Sequence, residues 1–477
     1  MSHNLTDEQS DVVCSSAKTM VVNAYAGTGK TSVLVEYAKR RPNVRMLYLA
    51  FNRSIKEEAS RRFPRNVRCV TTHGLAFAGF GSQFKDKLGN PKAFHVAKAL
   101  DLSNVDAGRV LVTVTAFLTS SDREIGERHA AQALARAKPE EMSDLIAQAK
   151  RAWAAMRDLA SPVPMPHDGY LKLYQLSNPR IDADVILFDE AQDANPVTLD
   201  IVQQQSCGKV FVGDRFQSIY QFRGAVNALA EIQADEYLDL TASFRFGAGV
   251  ASIASGLLMD FCGAVKPVRG FGEHATVFTV DQSRPHAILA RTNGRLFTEA
   301  VRLLQDDAPF GFAGGVAGYR MELVLDVFRL YAHRVSEIKD PFLRSFKSFQ
   351  AMCDYADELD DKELKSMAGV VDEYRFDIPK LVQEITTRAI EPLTGNEVVL
   401  STAHKAKGLE WLDVVLLDDF VDLEPQIDDD GFPVGPDPDE VNILYVAVTR
   451  ALRGLCLPPN VRDWLELSGR SGMLGSV

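Results

Sequence analysis

Cysteine is sparse in this 477-residue chain: six residues, at positions 14, 69, 207, 262, 353 and 456, with no two at the close spacing of a metal-ligand pair. Such scatter favours buried thiols in a reducing compartment, and a structural metal shared with histidines stays open. Long apolar runs are missing as well, so no membrane span is expected. The start, Met1-Ser2-His3-Asn4-Leu5-Thr6-Asp7-Glu8, has neither the basic nor the apolar region of a signal peptide. A soluble, intracellular, cytoplasmic protein with no membrane partner is expected. With 46% hydrophobic and 25% charged residues the chain is not largely disordered. At roughly 150 residues per domain its length suggests about three domains.

Positive charge is absent from one whole segment. Between Asp413 and Glu440 there are eleven acidic residues and no lysine or arginine. The net charge is −11, so the remainder is neutral overall and free to carry basic surfaces locally. Net charge bears on steering and solubility rather than on what one groove binds, and base stacking needs few phosphate contacts. Acidity therefore does not exclude nucleic acid.

Short apolar runs alternate with helical patterns through the first seventy residues: Met20-Val21-Val22 as a strand, 30–40 as a helix, Met46-Leu47-Tyr48-Leu49 as a strand, 55–63 as a helix. This rhythm predicts a parallel sheet covered by helices. From about 75 to 179 helical stretches take over, including 124–138 and 141–159. Strands return at Val185-Ile186-Leu187-Phe188 and Val210-Phe211-Val212. The pattern then repeats: a strand at Ala287-Ile288-Leu289, helices from about 321 to 388, and strands at Val398-Val399-Leu400 and Val414-Val415-Leu416-Leu417. Segment 426–439, with three prolines, two glycines and Asp428-Asp429-Asp430, reads as a solvated surface loop. The fold class expected is α/β, with two parallel-sheet cores, each carrying a mainly helical insertion.

Ala24-Tyr25-Ala26-Gly27-Thr28-Gly29-Lys30-Thr31 follows one strand and opens a helix, the context in which backbone N–H groups and a helix N-terminus cradle phosphates. Residues 26–31 are the candidate phosphate loop. Lys30 is placed to reach the β- and γ-phosphates and the Thr31 hydroxyl to bind Mg²⁺. The buried-strand run at 185–188 ends in Asp189-Glu190-Ala191-Gln192-Asp193. Two carboxylates at a strand end can divide the labour, Asp189 holding Mg²⁺ and Glu190 polarising the attacking water. Hydrolysis of ATP or a related triphosphate is the chemistry expected.

With these two motifs in place the chain resembles a superfamily 1 DNA helicase of the UvrD/Rep/PcrA type, and in motif form most of all the helicase part of the F-box DNA helicases. Seven motifs match in order. Leu5-Thr6-Asp7-Glu8-Gln9 resembles the motif whose glutamine, here Gln9, reads the adenine edge. The family tolerates alanine at the first loop position, as at Ala24. Leu49-Ala50-Phe51-Asn52-Arg53 and Thr71-Thr72-His73-Gly74 resemble its single-strand contacts, which implies DNA roles for Phe51, Asn52, Thr72 and His73. In the segment from Gly213 to Ala225 the resemblance makes Gln217 the γ-phosphate sensor and Phe222, with Arg223 beside it, the base-stacking position; bacterial relatives usually have tryptophan there. Ser243-Phe244-Arg245 implies adenine packing by Phe244 and γ-phosphate contact by Arg245. Thr402-Ala403-His404-Lys405-Ala406-Lys407-Gly408-Leu409-Glu410 implies DNA contacts through Thr402 and His404 and a ribose contact through Glu410. The run from Asn442 to Ala451 carries a second arginine finger, Arg450.

The resemblance also implies an architecture and an activity. Residues 1–74 and 179–242 form a first RecA-like core interrupted by a helical insertion at 75–178. Residues 243–296 and 393–477 form a second, with an insertion at 297–392. ATP is expected between the cores, drawing both arginines inward and driving 3′→5′ movement along single-stranded DNA and unwinding of tailed or forked duplex. The alternative is a DNA-stimulated translocase that strips proteins from single strands and unwinds weakly. With no F-box ahead of the first motif, ubiquitin-ligase partnership is not expected to carry over.

Overall fold

The computed structural model describes residues 5–50, 52–133, 139–219, 229, 232–358, 361–427 and 433–470. The chain divides into two compact units, residues 1–25 with 29–240 and residues 26–28 with 241–477.

In the first unit, six strands among the described residues form one sheet: β1 (Thr19–Ala24), β2 (Met46–Ala50), β3 (Val67–Thr71), β4 (Val185–Phe188), β5 (Gly208–Gly213) and β6 (Glu236–Leu240). Their order is β3-β2-β4-β5-β1-β6, and every pairing is parallel. Parallel sheets are covered on both faces, so their strands read as continuous apolar runs. Here Val22, Tyr48, Leu187 and Val210 pack to one face, while Val21, Leu47, Ile186 and Phe211 pack to the other. Because β4, β5 and β1 are consecutive, their C-terminal ends lie side by side. Ligands of open α/β sheets bind at that edge.

Between β3 and β4 the chain is helical, with helices Thr72–Gly79, Ala93–Leu100, Asn104–Thr119, Pro139–Arg157 and His167–Leu176. They enclose a core of their own around Val110, Phe117, Ala149 and Trp153. Among the described residues the helix expected over 124–138 is found only at Glu127–Ala130. Gly126 is extended at φ −138°, ψ −175°, and its N–H donates to His129 Nδ1 at 3.0 Å. That contact starts a new turn and stops the helix from extending backwards; residues 134–138 lie outside the described residues. Lys172 is fully buried in this part of the unit. It donates to the carbonyls of Ser120 and Asp122, and its ammonium lies 4.3 Å above the Phe117 ring.

The second unit is built on β9 (Ala287–Ala290), β10 (Phe310–Phe312), β11 (Val398–Thr402), β12 (Trp411–Leu416) and β15 (Ala451–Cys456), parallel and ordered β10-β11-β9-β12-β15. Two short strands, β7 (Ala242–Ser243) and β8 (Arg269–Gly270), pair separately. Strand β10 corrects the reading that gave all of 297–392 to a helical insertion, because Phe310 pairs with Val398 inside the sheet. Three residues, Phe-Gly-Phe, are too short a run to show strand period. Helices Met321–Tyr331, Phe349–Glu358, Lys362–Tyr374 and Ile378–Arg388 then pack around Val327, Phe328, Met367 and Ile385.

The expected loop at 426–439 contains an antiparallel pair, β13 (Gln426–Ile427) with β14 (Pro433–Val434), and the helix Pro438–Val448 begins inside it. Asp428-Asp429-Asp430 lies outside the described residues. The cysteines are not buried as expected: Cys14 is exposed and the other five are partly exposed. Cys14, for one, is the last residue of the helix Asp7–Cys14. Among the described residues no helix is long and apolar enough to cross a membrane.

Candidate nucleotide site

Strand β1 delivers the chain into a tight loop and then a helix. Gly29 stands at the helix N-terminus in the left-handed region, φ +80°, where glycine carries no steric penalty. Lys30 is the first residue of the helix Lys30–Lys39, so both Lys30 and Thr31 sit at its N-terminal end. The Thr6 hydroxyl and Gln9 amide form a reciprocal cap on helix Asp7–Cys14. A methyl group on Gly29 would lie 3.6 Å from Gln9 Nε2, so the Gln9 amide borders the loop.

Strand β4 delivers the carboxylates. Lys30 Nζ lies 2.9 Å from Glu190 Oε2, and Thr31 Oγ1 donates to Asp189 Oδ2 at 3.2 Å. The same Asp189 oxygen accepts from Tyr48 Oη at 2.6 Å, while Asp189 Oδ1 accepts from the Glu190 N–H at 2.9 Å. Glu190 adopts φ +51°, ψ +42°, uncommon for a residue with a side chain and typical of functional turns. Gln192, fully buried, donates to Glu190 Oε2 at 2.6 Å and accepts from the Asp214 N–H at 3.1 Å. Gln217 in turn donates to Asp214 Oδ2 at 2.8 Å. The ends of β1, β4 and β5 are thus joined by one hydrogen-bonded network.

The electrostatics follow from the burial of one ammonium among several carboxylates. Burial pulls the Lys30 pKa down, but Glu190, Asp189 and Asp214 outweigh it and the net shift is upward. Asp189 is held above the ordinary carboxylate range by burial first and by Glu190 second; Lys30, the Tyr48 hydroxyl and the Glu190 N–H oppose the shift.

Residues 52, 72 and 73 lie at neighbouring strand ends. Asn52 accepts from the Ile55 N–H at 2.9 Å and caps helix Arg53–Arg62. Thr72 is buried, and His73 Nε2 lies 3.3 Å from Asp168 Oδ1. Thr72 and His73 line a hollow of about 100 Å³ together with Ala50, Phe188, Glu190 and Asn195. Phe51, Phe222 and Arg223 lie outside the described residues.

In the second unit, Arg245 Nε lies 2.8 Å from Glu410 Oε2, so two residues read as nucleotide contacts pair with each other. Phe244 is about half exposed beside Phe271, ring centroids 6.3 Å apart. Arg450 is buried. Its guanidinium donates to Val446 O at 2.9 Å, Leu409 O at 3.1 Å and Thr449 Oγ1 at 3.1 Å. The loop tip 26–28 groups with this unit: the Phe244 N–H donates to Gly27 O and the Ala26 N–H to Tyr445 Oη. Thr28 is buried there. Thr402 is buried at the end of β11, and His404 is partly exposed on the turn Ala403–Ala406.

The chain is similar to a family and to curated proteins. Residues 9–223 match a family described as an AAA domain. F-box DNA helicase 1 of Gallus gallus is 34% identical over 487 residues, which cover 94% of this chain and 48% of that protein. F-box DNA helicase protein 1 of Schizosaccharomyces pombe is 32% identical over 510 residues, covering 95% of this chain and 57% of that protein. The resemblance to the UvrD-type superfamily 1 helicases holds. The chain spans about half the length of the curated relatives it matches.

The residues at this site suit a nucleotide with magnesium. Magnesium uses one or two carboxylates together with substrate phosphates rather than an all-protein cage. Thr31 and Asp189 already meet across one hydrogen bond. Tyr48 and Gln192, both bonded to the acidic pair, are not legible from the motifs alone. The available signals were a hydroxyl inside an apolar strand run and an amide two residues past the acidic pair.

Proposed function

We propose that the chain is an ATP-dependent DNA helicase that moves 3′→5′ on single-stranded DNA and unwinds tailed or forked duplex. The observation that carries this reading is the double pairing of Lys30 with Glu190 and Thr31 with Asp189 at one strand edge. Lys30 and the N–H groups of residues 26–31 hold the phosphates, and Thr31 with Asp189 forms the magnesium position. Magnesium, when bound, supplies charge neutralisation on the phosphoryl oxygens. Glu190 orients the water and takes its proton, once Lys30 has turned from the carboxylate to the phosphates. Gln217 senses the γ-phosphate, Gln9 and Phe244 recognise adenine, and Glu410 binds the ribose. Arg245 and Arg450 stabilise charge developing in phosphoryl transfer. Phe51, Asn52, Thr72, His73, Phe222, Arg223, Thr402 and His404 hold the DNA strand. Segments 1–74 with 179–242 and 243–296 with 393–477 serve as the two motor cores.

The test is strand separation with ATP and magnesium on forked duplex and on duplexes carrying a 3′ or a 5′ tail. Unwinding of the forked and 3′-tailed substrates is expected. Efficient unwinding from a 5′ tail with none from a 3′ tail overturns the polarity. ATP-driven movement on single strands without strand separation replaces helicase by translocase.

A further inference from the structure

We infer that Tyr48 is a positioning residue for the magnesium-binding carboxylate, fixing the rotation of Asp189 so that one oxygen faces Thr31. The inference rests on the nucleotide reading above and extends it to a residue outside every motif that carried it. Tyr48 is the third residue of β2 and is fully buried. Apolar side chains occupy the other positions of that strand, so its single hydroxyl must find a partner inside the protein. The partner it finds, 141 positions away in sequence, is Asp189 Oδ2 at 2.6 Å, the shortest contact that carboxylate makes.

The carboxylate is constrained at both oxygens. Oδ1 is tied to its neighbour's backbone by the Glu190 N–H, and Oδ2 is shared by Tyr48 and Thr31. Only the Tyr48 bond comes from a strand of the sheet core; the Thr31 hydroxyl is itself a candidate ligand and must be free to turn toward the cation. The Tyr48 ring packs against Phe63, centroids 4.8 Å apart, so the ring belongs to the core while the hydroxyl alone reaches the carboxylate. Partners of this kind, behind a metal's own ligands, keep ligand atoms oriented before the ion arrives, and their loss typically costs roughly 10–100-fold in metal affinity.

The experiment is a magnesium titration of equilibrium binding of a fluorescent ADP analogue to the full chain, with melting temperature measured beside it. Tyr48→Phe removes the hydroxyl and keeps the ring. It should need roughly 10-fold more magnesium for half-maximal binding, with magnesium-free nucleotide affinity and melting temperature close to those of the parent. Phe63→Leu should do the reverse, lowering the melting temperature and leaving the magnesium requirement alone. An unchanged magnesium requirement in Tyr48→Phe overturns the inference. So does failure of that variant to fold, because the hydroxyl would then be serving the core. If the parent itself shows no magnesium-dependent binding, and Asp189→Asn behaves like it, the nucleotide reading fails instead.

Discussion

The ammonium of Lys30 and the carboxylate of Glu190 form an ion pair at 2.9 Å with both side chains largely enclosed. Neither group is then free for the work assigned to it: the lysine is needed by phosphate and the glutamate by water. On the proposed reading, phosphate bound at the loop would separate them, since Lys30 would exchange one anion for another at little cost. Removing either partner should therefore act on a different stage of the cycle. Lys30→Ala should lose most nucleotide affinity. Glu190→Gln should bind nucleotide normally and turn over roughly 10²–10⁴-fold more slowly, the usual contribution of a general base. Fluorescent-nucleotide binding and steady-state ATPase measure the two stages. Near-normal, DNA-stimulated ATPase in Glu190→Gln would sink the assignment.

The two arginines of the second unit should respond differently to the same substitution. Arg245 pairs with a half-exposed Glu410, and such pairs contribute about 0–1 kcal/mol. Arg245→Ala should keep its melting temperature and lose turnover, by up to roughly 10³–10⁵-fold if it acts as an arginine finger. Arg450 is buried on the carbonyls of Val446 and Leu409. Its truncation strands those acceptors, and hydrogen bonds to charged groups are worth roughly 1.5–3 kcal/mol each. Arg450→Ala should therefore be destabilised, which makes Arg450→Lys the variant for testing catalysis. Thermal melting and single-turnover hydrolysis separate the effects; unchanged hydrolysis in Arg245→Ala would remove it from the site.

Contiguity decided what the sequence could reveal. Lys30 and Thr31 adjoin each other, as do Asp189 and Glu190, and each pair follows an apolar strand, so both were readable along with the sheet they belong to. Tyr48 was not, because its partner is distant in sequence and its strand reads as plain core. The burial of Arg450 was equally hidden, since Leu409, which accepts its hydrogen bond, stands in another motif. Strand Glu236–Leu240 escaped notice because acidic residues interrupt its apolar run. The turn at Gly126 escaped because helical period on either side bridged it.

Lys172 supplies a pH dependence that belongs to the helical part of the first unit. Burial lowers its pKa from 10.5 to about 8, with Asp122 and Asp200 resisting and Arg123 and Arg128 adding to the fall. Below about pH 8 both folded and unfolded chains hold this proton. Between about 8 and 10.5 the unfolded chain still holds it and the folded chain does not, so this group adds stability as pH rises. The full term is on the order of 3 kcal/mol. Lys172→Met should show a smaller rise, or a steeper fall, in unfolding free energy over that window than the parent. Parallel pH profiles from denaturant unfolding would rule the effect out.

Gly213 ends β5 where Gln192 crosses it. A methyl group there would stand 2.1 Å from Gln192 Oε1, 2.9 Å from Leu229 Cδ1 and 3.1 Å from the Ala191 nitrogen. The backbone nitrogen cannot retreat easily, and the leucine is buried, so the amide of Gln192 must give way. That amide has no spare room either: it is fully buried and already bonded to Glu190 and to the Asp214 N–H. Gly213→Ala should thus cost roughly 1–3 kcal/mol of stability, as overpacked cores do. It should also lower turnover by releasing Glu190 from its orienting amide. The phosphate loop and Lys30 are untouched by the change, so nucleotide affinity should stay near that of the parent. Melting temperature, nucleotide affinity and kcat measured on one preparation decide the matter. A variant that melts lower yet hydrolyses ATP at the parental rate would show that Gln192 packs against Glu190 without orienting it.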